Sequence, residues 1–187
     1  TQYLNLPESP LVYKDKFPSY FQDRQSDLHD RYLATLGRVL FYDKNLSEDR
    51  TISCASCHKQ ELAFSDDEAL SEGVSGRQTD RNSIALGSVF SFKQQYGIDR
   101  TPFFWDNRAF SVQDQALQTF SNPAEMNIEL SEVVERVKEQ PYYTPLFKAA
   151  FGREIQYPRD VLNAIAEFIN SMGSFDSKYD RVLSQAF

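Results

Sequence analysis

The residues best suited to chemistry lie in one short stretch, Ser53-Cys54-Ala55-Ser56-Cys57-His58. It holds both cysteines of the chain and one of its two histidines. Two cysteines separated by two residues and followed at once by histidine form the attachment pattern of c-type haem. Each thiol adds to one vinyl group of the porphyrin, and the neighbouring imidazole becomes an axial ligand of the iron. The motif therefore predicts one covalently held haem on Cys54 and Cys57, with His58 as its proximal ligand.

Three other interpretations of these residues stay open. A structural zinc site needs about four protein ligands, and beyond the motif only His29 and carboxylates remain to complete one. A thioredoxin-type redox pair belongs in a βαβ setting, which the flanking residues do not suggest. A disulfide across two residues would be strained and would leave His58 without a role. We favour haem, and we expect His29 to lie on the surface, on the polar side of a helix start.

The composition is that of a globular protein long enough to enclose a core. The chain has 187 residues, of which 41% are hydrophobic. Its aromatic content of 14% would suit the lining of a large flat cofactor, although an aromatic-rich core would look the same. The net charge of -7 argues against nucleic acid as a partner. It favours a basic partner, such as a positively charged electron donor.

The cellular location follows from the predicted cofactor. No stretch approaches the roughly 18 apolar residues that a membrane span requires. No signal peptide is visible either, so we expect the sequence to begin at a mature or trimmed terminus. Haem is attached to such motifs outside the bacterial cytoplasm. If haem is bound as predicted, the protein is periplasmic or extracytoplasmic.

The pattern of apolar residues predicts a mainly α fold with long loops, and the haem motif within it indicates a cytochrome c-like haem domain. Residues 1–26 contain three prolines and are predicted to form an extended arm, followed by a single haem domain over 27–187. Helices are predicted at about 27–42, 106–120, 130–139 and 145–151, and from Pro158 to just before Gly173. Gly37 lies inside the first helix, where it costs about 1 kcal/mol relative to alanine. A close crossing of two helices would justify that cost.

Several short motifs in a fixed order give a specific resemblance. They are LGRVLFYD at 36–43, LS at 46–47, SCASCH at 53–58, FSD at 64–66, GVSG at 73–76, RNS at 81–83, FWDNR at 104–108, QAL at 115–117 and NPAEM at 122–126. This order resembles the N-terminal domain of the bacterial di-haem cytochrome c peroxidase family, which includes the tryptophan-tryptophylquinone-maturing di-haem enzymes. The resemblance runs from about residue 28 to residue 185.

The resemblance implies an activity and a set of roles. In this family the N-terminal haem is where hydrogen peroxide reacts, with electrons from a second haem or a small redox protein. Cys54 and Cys57 match the residues that form the thioether links, and His58 matches the proximal ligand. Trp105 matches a tryptophan that relays electrons between the two haems. Asn82 matches a ligand of the calcium ion bound between the two domains.

Gln115 and Glu125 match the family's pair of residues in the distal pocket. Apart from the resemblance, a carboxylate beside a bound peroxide can take the proton from one oxygen and return it to the other, which favours O–O cleavage. Gln115 could orient the peroxide by hydrogen bonding. Taken singly, Glu125 is typical of an acid at a helix start, Gln115 of a helix-surface amide and Trp105 of core packing. Their regular spacing, ten residues and then ten more, favours the functional interpretation.

The family carries a second haem motif in a C-terminal domain, and this sequence has none. It stops near residues 177–181, about where that domain would begin, so we expect a part of a longer protein rather than a natural single-haem relative.

Two alternatives to a peroxidase domain stay open: a mono-haem electron carrier, and part of a di-haem enzyme that oxidises a protein substrate. A carrier needs a saturated iron, typically with His and Met ligands, and has no need of Gln115 and Glu125. A homodimer is a further expectation.

The sixth position of the iron gives a testable prediction. Many di-haem peroxidases fill it with a second histidine from the loop after the haem motif, but residues 59–104 contain no histidine. Met126 and Met172 are the other candidate ligands, and we expect the first to pack beside the pocket and the second in a helix core. We therefore predict an open or water-bound peroxide site that needs no reductive activation. The optical spectrum of the resting ferric protein tests this, and a six-coordinate, low-spin ferric haem would contradict it.

Overall fold

A computed structural model describes residues 28–89, 102–175 and 177–186 of the chain. Within these ranges the protein consists of helices joined by long loops, with isolated β-bridges but no extended strand. The helices are α1 (Leu28–Tyr42), α2 (Cys54–Cys57), α3 (Val112–Ser121), α4 (Leu130–Glu139), α5 (Tyr143–Phe151), α6 (Pro158–Ser171) and α7 (Lys178–Ala186). The prediction of a mainly α fold is confirmed. The predicted arm at 1–26 and the side chain of His29 lie outside the described residues.

Local signals explain where most of these helices begin and end. The Ser111 hydroxyl accepts a backbone N–H of the first turn of α3 and so caps that helix. Pro158 occupies the first turn of α6, and Gly152 ends α5 at a φ of 68°. α5 begins at Tyr143 and not at Pro145 as predicted. Proline is tolerated in a first turn because the N–H groups there have no acceptor within the helix.

The sequence-based prediction lacks α7. The large apolar side chains of this helix are mostly in water, with Tyr179 70% exposed and Val182 63% exposed. The apolar residues of α7 therefore do not form a buried face, which is the pattern by which a helix is predicted from sequence. None of the described helices, α7 included, combines the length and apolar character needed to cross a membrane.

The core is centred on the crossing of α1 and α6. The buried side chains at this crossing are Leu36, Leu40 and Phe41 from α1, and Val161, Ile165 and Phe168 from α6. Gly37 lies where the two backbones approach, because a Cβ atom on it would stand 1.8 Å from the carbonyl oxygen of Ala164. No side chain fits in that space. The close crossing that would justify a glycine inside α1 is confirmed.

Replacing Gly37 with alanine tests this crossing. Alanine is the better helix former by about 1 kcal/mol, so propensity alone predicts a gain in stability. The clash with Ala164 predicts instead that the free energy of unfolding falls by about 1–3 kcal/mol, the usual cost of overpacking. Chemical denaturation followed by circular dichroism measures the change. Gly87→Ala is the matched control, because a Cβ there meets only the Ala63 carbonyl oxygen, at 3.6 Å. Unchanged or higher stability of Gly37→Ala would contradict the close crossing.

Candidate functional site

A cavity of about 340 Å³ lies between the haem motif, residues 79–84 and α3. This volume is in the range of cofactor and small-molecule sites. Every site residue that the sequence singled out lines the cavity: Cys54, Cys57, His58, Asn82, Trp105, Gln115 and Glu125. These residues come from well-separated segments of the chain, and the fold brings them together. Their individual roles stay predictions.

The haem motif forms the short helix α2, which places Cys54 and Cys57 on the same side because they are three residues apart. The backbone N–H of Ser53 donates to the hydroxyl of Ser56 at 3.0 Å, and the N–H of His58 donates to the carbonyl of Cys54 at 2.9 Å. Both thiols are free, so the disulfide interpretation is not supported. Burial and the neighbouring Cys57 raise the pKa of the Cys54 thiol to about 12.

His58 is oriented by the backbone of the loop that follows it. Its Nδ1 lies 2.9 Å from the carbonyl oxygen of Phe64, and a carbonyl can only accept, so Nδ1 carries the proton. The other ring nitrogen, Nε2, is then the one with a lone pair for a metal. Burial lowers the pKa of His58, against the opposing effect of the Phe64 carbonyl and the charge of Asp66. Burial thus favours the neutral imidazole, the form that binds metals.

The donor set fits a covalently attached haem better than a zinc ion. Among the described residues, no group of three or more His, Cys, Asp or Glu side chains is arranged to hold a metal ion. A structural zinc site would need about four such ligands. Haem attachment needs only two free thiols and one imidazole beside a cavity, and Cys54, Cys57 and His58 supply these.

Glu125 lies in a turn between α3 and α4, so its interpretation as an acid at a helix start is wrong. The side-chain amide of Asn122 donates to Glu125 Oε1 at 2.7 Å. The backbone N–H of Val74 donates to the carbonyl of Glu125 at 3.0 Å. Gly73 packs against the same turn, since a Cβ there would lie 2.1 Å from the Ala124 carbonyl oxygen. The turn is therefore held both from within and by the loop that follows the haem motif.

The surroundings of Glu125 act on its carboxyl group in opposite directions. Burial is the largest effect and raises the pKa of Glu125. Hydrogen bonds with Thr119 and Asn122, and the charge of Arg108, lower it. The net result is that the pKa of Glu125 lies above the ordinary value of a glutamate, in the direction of neutral pH.

Trp105 stands at the mouth of the cavity with 61% of its surface exposed, so the core-packing interpretation is wrong. Its indole Nε1–H donates to the backbone carbonyl of Asn82 at 2.9 Å. The side-chain amide of Asn82 in turn donates to the carbonyl of Glu68 at 2.8 Å. These two bonds connect the tryptophan with the loop that follows the haem motif.

Two arginines at the cavity were missed as candidate residues. Arg81 and Arg108 both line it, and both pair with Asp106, at 2.7 and 2.8 Å. The guanidinium of Arg108 also lies over the ring of Phe104, 3.5 Å from its centre. Arg81 belongs to the RNS motif and Arg108 to the FWDNR motif, so membership of these motifs is the signal that could have identified the two arginines.

The two methionines take different positions. Met126 is 2% exposed and lines the cavity, beside the pocket as expected. Met172 is not in a helix core as predicted, because it follows the last residue of α6 and is only partly buried. It does not line this cavity.

Fold and site together define a c-type haem domain, with a single attachment motif on one wall of a cavity in a helical protein. The family model described as di-haem cytochrome c peroxidase matches residues 31–186. The chain therefore belongs to the di-haem cytochrome c peroxidase family, and the resemblance carried by the sequence motifs is confirmed.

Individual relatives agree with this assignment. The methylamine utilization protein MauG of Methylorubrum extorquens is 36% identical over 149 residues, which is 79% of this chain and 40% of that protein. The cytochrome c551 peroxidase of Nitrosomonas europaea is 33% identical over 153 residues, 81% of this chain and 43% of that protein. The crystal structure of a MauG-like protein associated with microbial copper homeostasis matches 98% of this chain and 50% of its own, with a TM-score of 0.69 and 30% identity. The chain thus spans half or less of the length of these relatives.

The hydrogen bond from Asn122 to Glu125 gives a testable prediction. Asn122→Ala removes a donor that stabilises the ionised carboxylate, so we expect the pKa of Glu125 to rise further. The carboxylate would then form at higher pH than in the unsubstituted protein, as measured by a ¹³C NMR titration of the glutamate side chains. Asn127→Gly is the control, because that amide donates to Glu48 instead and glycine accepts the φ of 47° at this position. An unchanged or lowered pKa of Glu125 in Asn122→Ala would show that the hydrogen bond from Asn122 does not stabilise the carboxylate.

Proposed function

We propose that this chain is the peroxide-reacting haem domain of a larger oxidoreductase. The observation that carries the proposal is a single cavity lined by the haem motif and also by Gln115 and Glu125. A pure electron carrier needs a saturated iron and has no use for a carboxyl group and an amide beside the haem. Family membership supports the same class of reaction.

Cys54 and Cys57 would hold a haem c covalently, and His58 would bind its iron. When bound, the haem supplies the redox chemistry, in which hydrogen peroxide takes up two electrons and two protons and yields two molecules of water. The residues of the chain hold the haem, orient the peroxide and move its protons.

Glu125 is the proposed general base and acid. Its carboxylate takes the proton from one oxygen of the peroxide and returns it to the other, which then leaves as water. The pKa of this buried carboxyl group is raised in the direction of neutral pH, which makes both taking up and releasing a proton easier there. Gln115 donates a hydrogen bond from its amide and orients the peroxide without adding a charge. Asn122 keeps the carboxyl group of Glu125 in place.

Electrons would enter at the mouth of the cavity. Trp105 is exposed there, and its hydrogen bond to Asn82 holds it in place. An electron relay that faces the donor would need both properties. The donor is a second haem domain or a small redox protein, and the net charge of -7 favours a basic protein.

The same arrangement would serve a di-haem enzyme that oxidises a protein substrate, which is the second candidate function. The two MauG relatives, each 36% identical to this chain, support this second candidate.

Calcium, location and assembly are further proposals. Asn82 would ligate calcium through its side-chain oxygen, since its side-chain nitrogen already donates to Glu68. The remaining ligands would be backbone carbonyls, waters or oxygens of a second domain, because no group of three or more His, Cys, Asp or Glu side chains among the described residues is arranged to hold a metal ion. A periplasmic or extracytoplasmic location follows from haem attachment. A homodimer stays an expectation that no observation on this chain tests.

Glu125→Gln tests the proposed general base. We expect the second-order rate of reaction with hydrogen peroxide to fall by about two to four powers of ten, the usual scale of general acid–base catalysis. The covalent haem content should stay the same. Stopped-flow absorbance of the haem measures the rate, and the pyridine haemochrome spectrum measures the haem.

Glu129→Gln is the matched control, because Glu129 is an exposed acid four residues further on whose side chain does not line the cavity. It should react at the unsubstituted rate. If Glu125→Gln also reacts at that rate, Glu125 has no part in the mechanism.

A further inference from the structure

The loop after the haem motif, Lys59–Asp66, closes on itself; we call it the proximal loop. The backbone N–H of Lys59 donates to the carbonyl of Ser65 at 2.9 Å, and the N–H of Phe64 donates to the carbonyl of Lys59 at 2.8 Å. The Phe64 carbonyl is also the acceptor of the His58 Nδ1–H. The same carbonyl accepts the backbone N–H of Leu86 at 3.3 Å, so the position of the acceptor for His58 depends on the shape of the proximal loop and on this one contact from outside it.

This shape is strained. Ala63 and Phe64 are consecutive residues with φ values of 56° and 61°, in the left-handed region that residues with a Cβ atom avoid. Residues in this region store backbone strain unless their surroundings hold them there. The ring of Phe64 packs against Phe41 and Phe168, at centroid distances of 6.0 and 6.3 Å, which anchors one side of the loop. The backbone bonds between Lys59 and Ser65 already join the two ends of the loop, and a contact between side chains joins them a second time.

Asp66 supplies that second contact. Its side chain is only 3% exposed, and Oδ1 lies 2.8 Å from the ammonium of Lys59 at the other end of the loop. Oδ2 accepts a hydrogen bond from the hydroxyl of Ser71, which is itself 2.8 Å from the hydroxyl of Ser83. A buried carboxylate needs such partners to be stable. Burial raises the pKa of Asp66, but the bonds with Lys59 and Ser71 outweigh it and lower the pKa to about 2.

We propose that Asp66 is a positioning residue of the haem site: it ties the two ends of the proximal loop together and thereby holds the Phe64 carbonyl against Nδ1 of His58. A hydrogen bond at Nδ1 raises the basicity of the imidazole as a ligand. A more basic ligand stabilises the oxidised iron relative to the reduced iron. Loosening the loop should therefore make the haem easier to reduce. This inference rests on the proposed function only in taking His58 as the axial ligand.

The test measures the reduction potential of the haem-loaded chain by spectroelectrochemical titration. In Asp66→Asn we expect the ratio of oxidised to reduced haem at a fixed potential to fall about tenfold, which is an upward shift of about 59 mV for one electron. Asp67→Asn is the matched control. Asp67 also pairs with Lys59, but its side chain is 61% exposed, so the same change in charge should alter the ratio less than twofold. Equal potentials in Asp66→Asn and the unsubstituted chain overturn the proposal, and so does an equal shift in both variants.

Ser71→Ala keeps the test decisive if Asp66→Asn fails to accumulate. This variant removes one hydrogen bond from Asp66 and leaves its charge in place, so the potential should move in the same direction by a smaller amount. An unchanged potential in Ser71→Ala would then overturn the proposal. Failure of the underlying site assignment is distinguishable, because it would appear as an unsubstituted chain without covalent haem in the pyridine haemochrome spectrum.

Discussion

The contact between the backbones of α1 and α6 at Gly37 is the constraint on which the rest of the structure depends. Phe41 on α1 lines the cavity, and so do Ile165 and Ile169 on α6. Because no side chain separates the two helices at the crossing, one helix cannot shift without moving the other. Closely packed interiors transmit such displacements rather than absorb them. The part of the apolar wall that these three residues form is therefore set by the contact between the two helices.

The two chemical sides of the cavity are built in different ways. On the side of the haem motif, the thiols, the imidazole and the acceptor for the imidazole all come from residues 54–64, close together along the chain. The turn that carries Glu125 has local bonds too, but distant segments also hold it: the backbone N–H of Val74 donates to the Glu125 carbonyl at 3.0 Å, and the backbone N–H of Glu48 donates to the Met126 carbonyl at 2.9 Å. Local contacts form at little cost in chain entropy, whereas distant ones require long loops to close first. The distal pocket is consequently the side that remote substitutions disturb more easily.

Strongly periodic helices could be predicted from the sequence, and α4 matches its predicted range of 130–139. The start of α5 was placed too late because a proline in a first turn does not interrupt a helix, and α7 was missed because its apolar residues are exposed. The haem motif could be read directly, since its spacing is local. The resemblance and the ten-residue spacing from Trp105 singled out Gln115 and Glu125, but only the resemblance placed them at the haem motif, because no local pattern reports which distant segments meet. The left-handed backbone at Ala63 left no sign in the sequence, and the FSD motif marked Asp66 without indicating the role proposed for it, since both depend on neighbours brought in by the fold.

The position of the indole at the cavity mouth has a practical consequence. The chain contains one tryptophan, so its ultraviolet-excited emission reports on a single place in the molecule. That place is the rim of the cavity, where Trp105 meets water on one side and the backbone of Asn82 on the other. A porphyrin in the cavity would absorb the emitted light at short range, and a protein docking over the rim would remove water from the ring. The molecule therefore carries its own optical label for cofactor loading and for encounters with a donor, without any added dye.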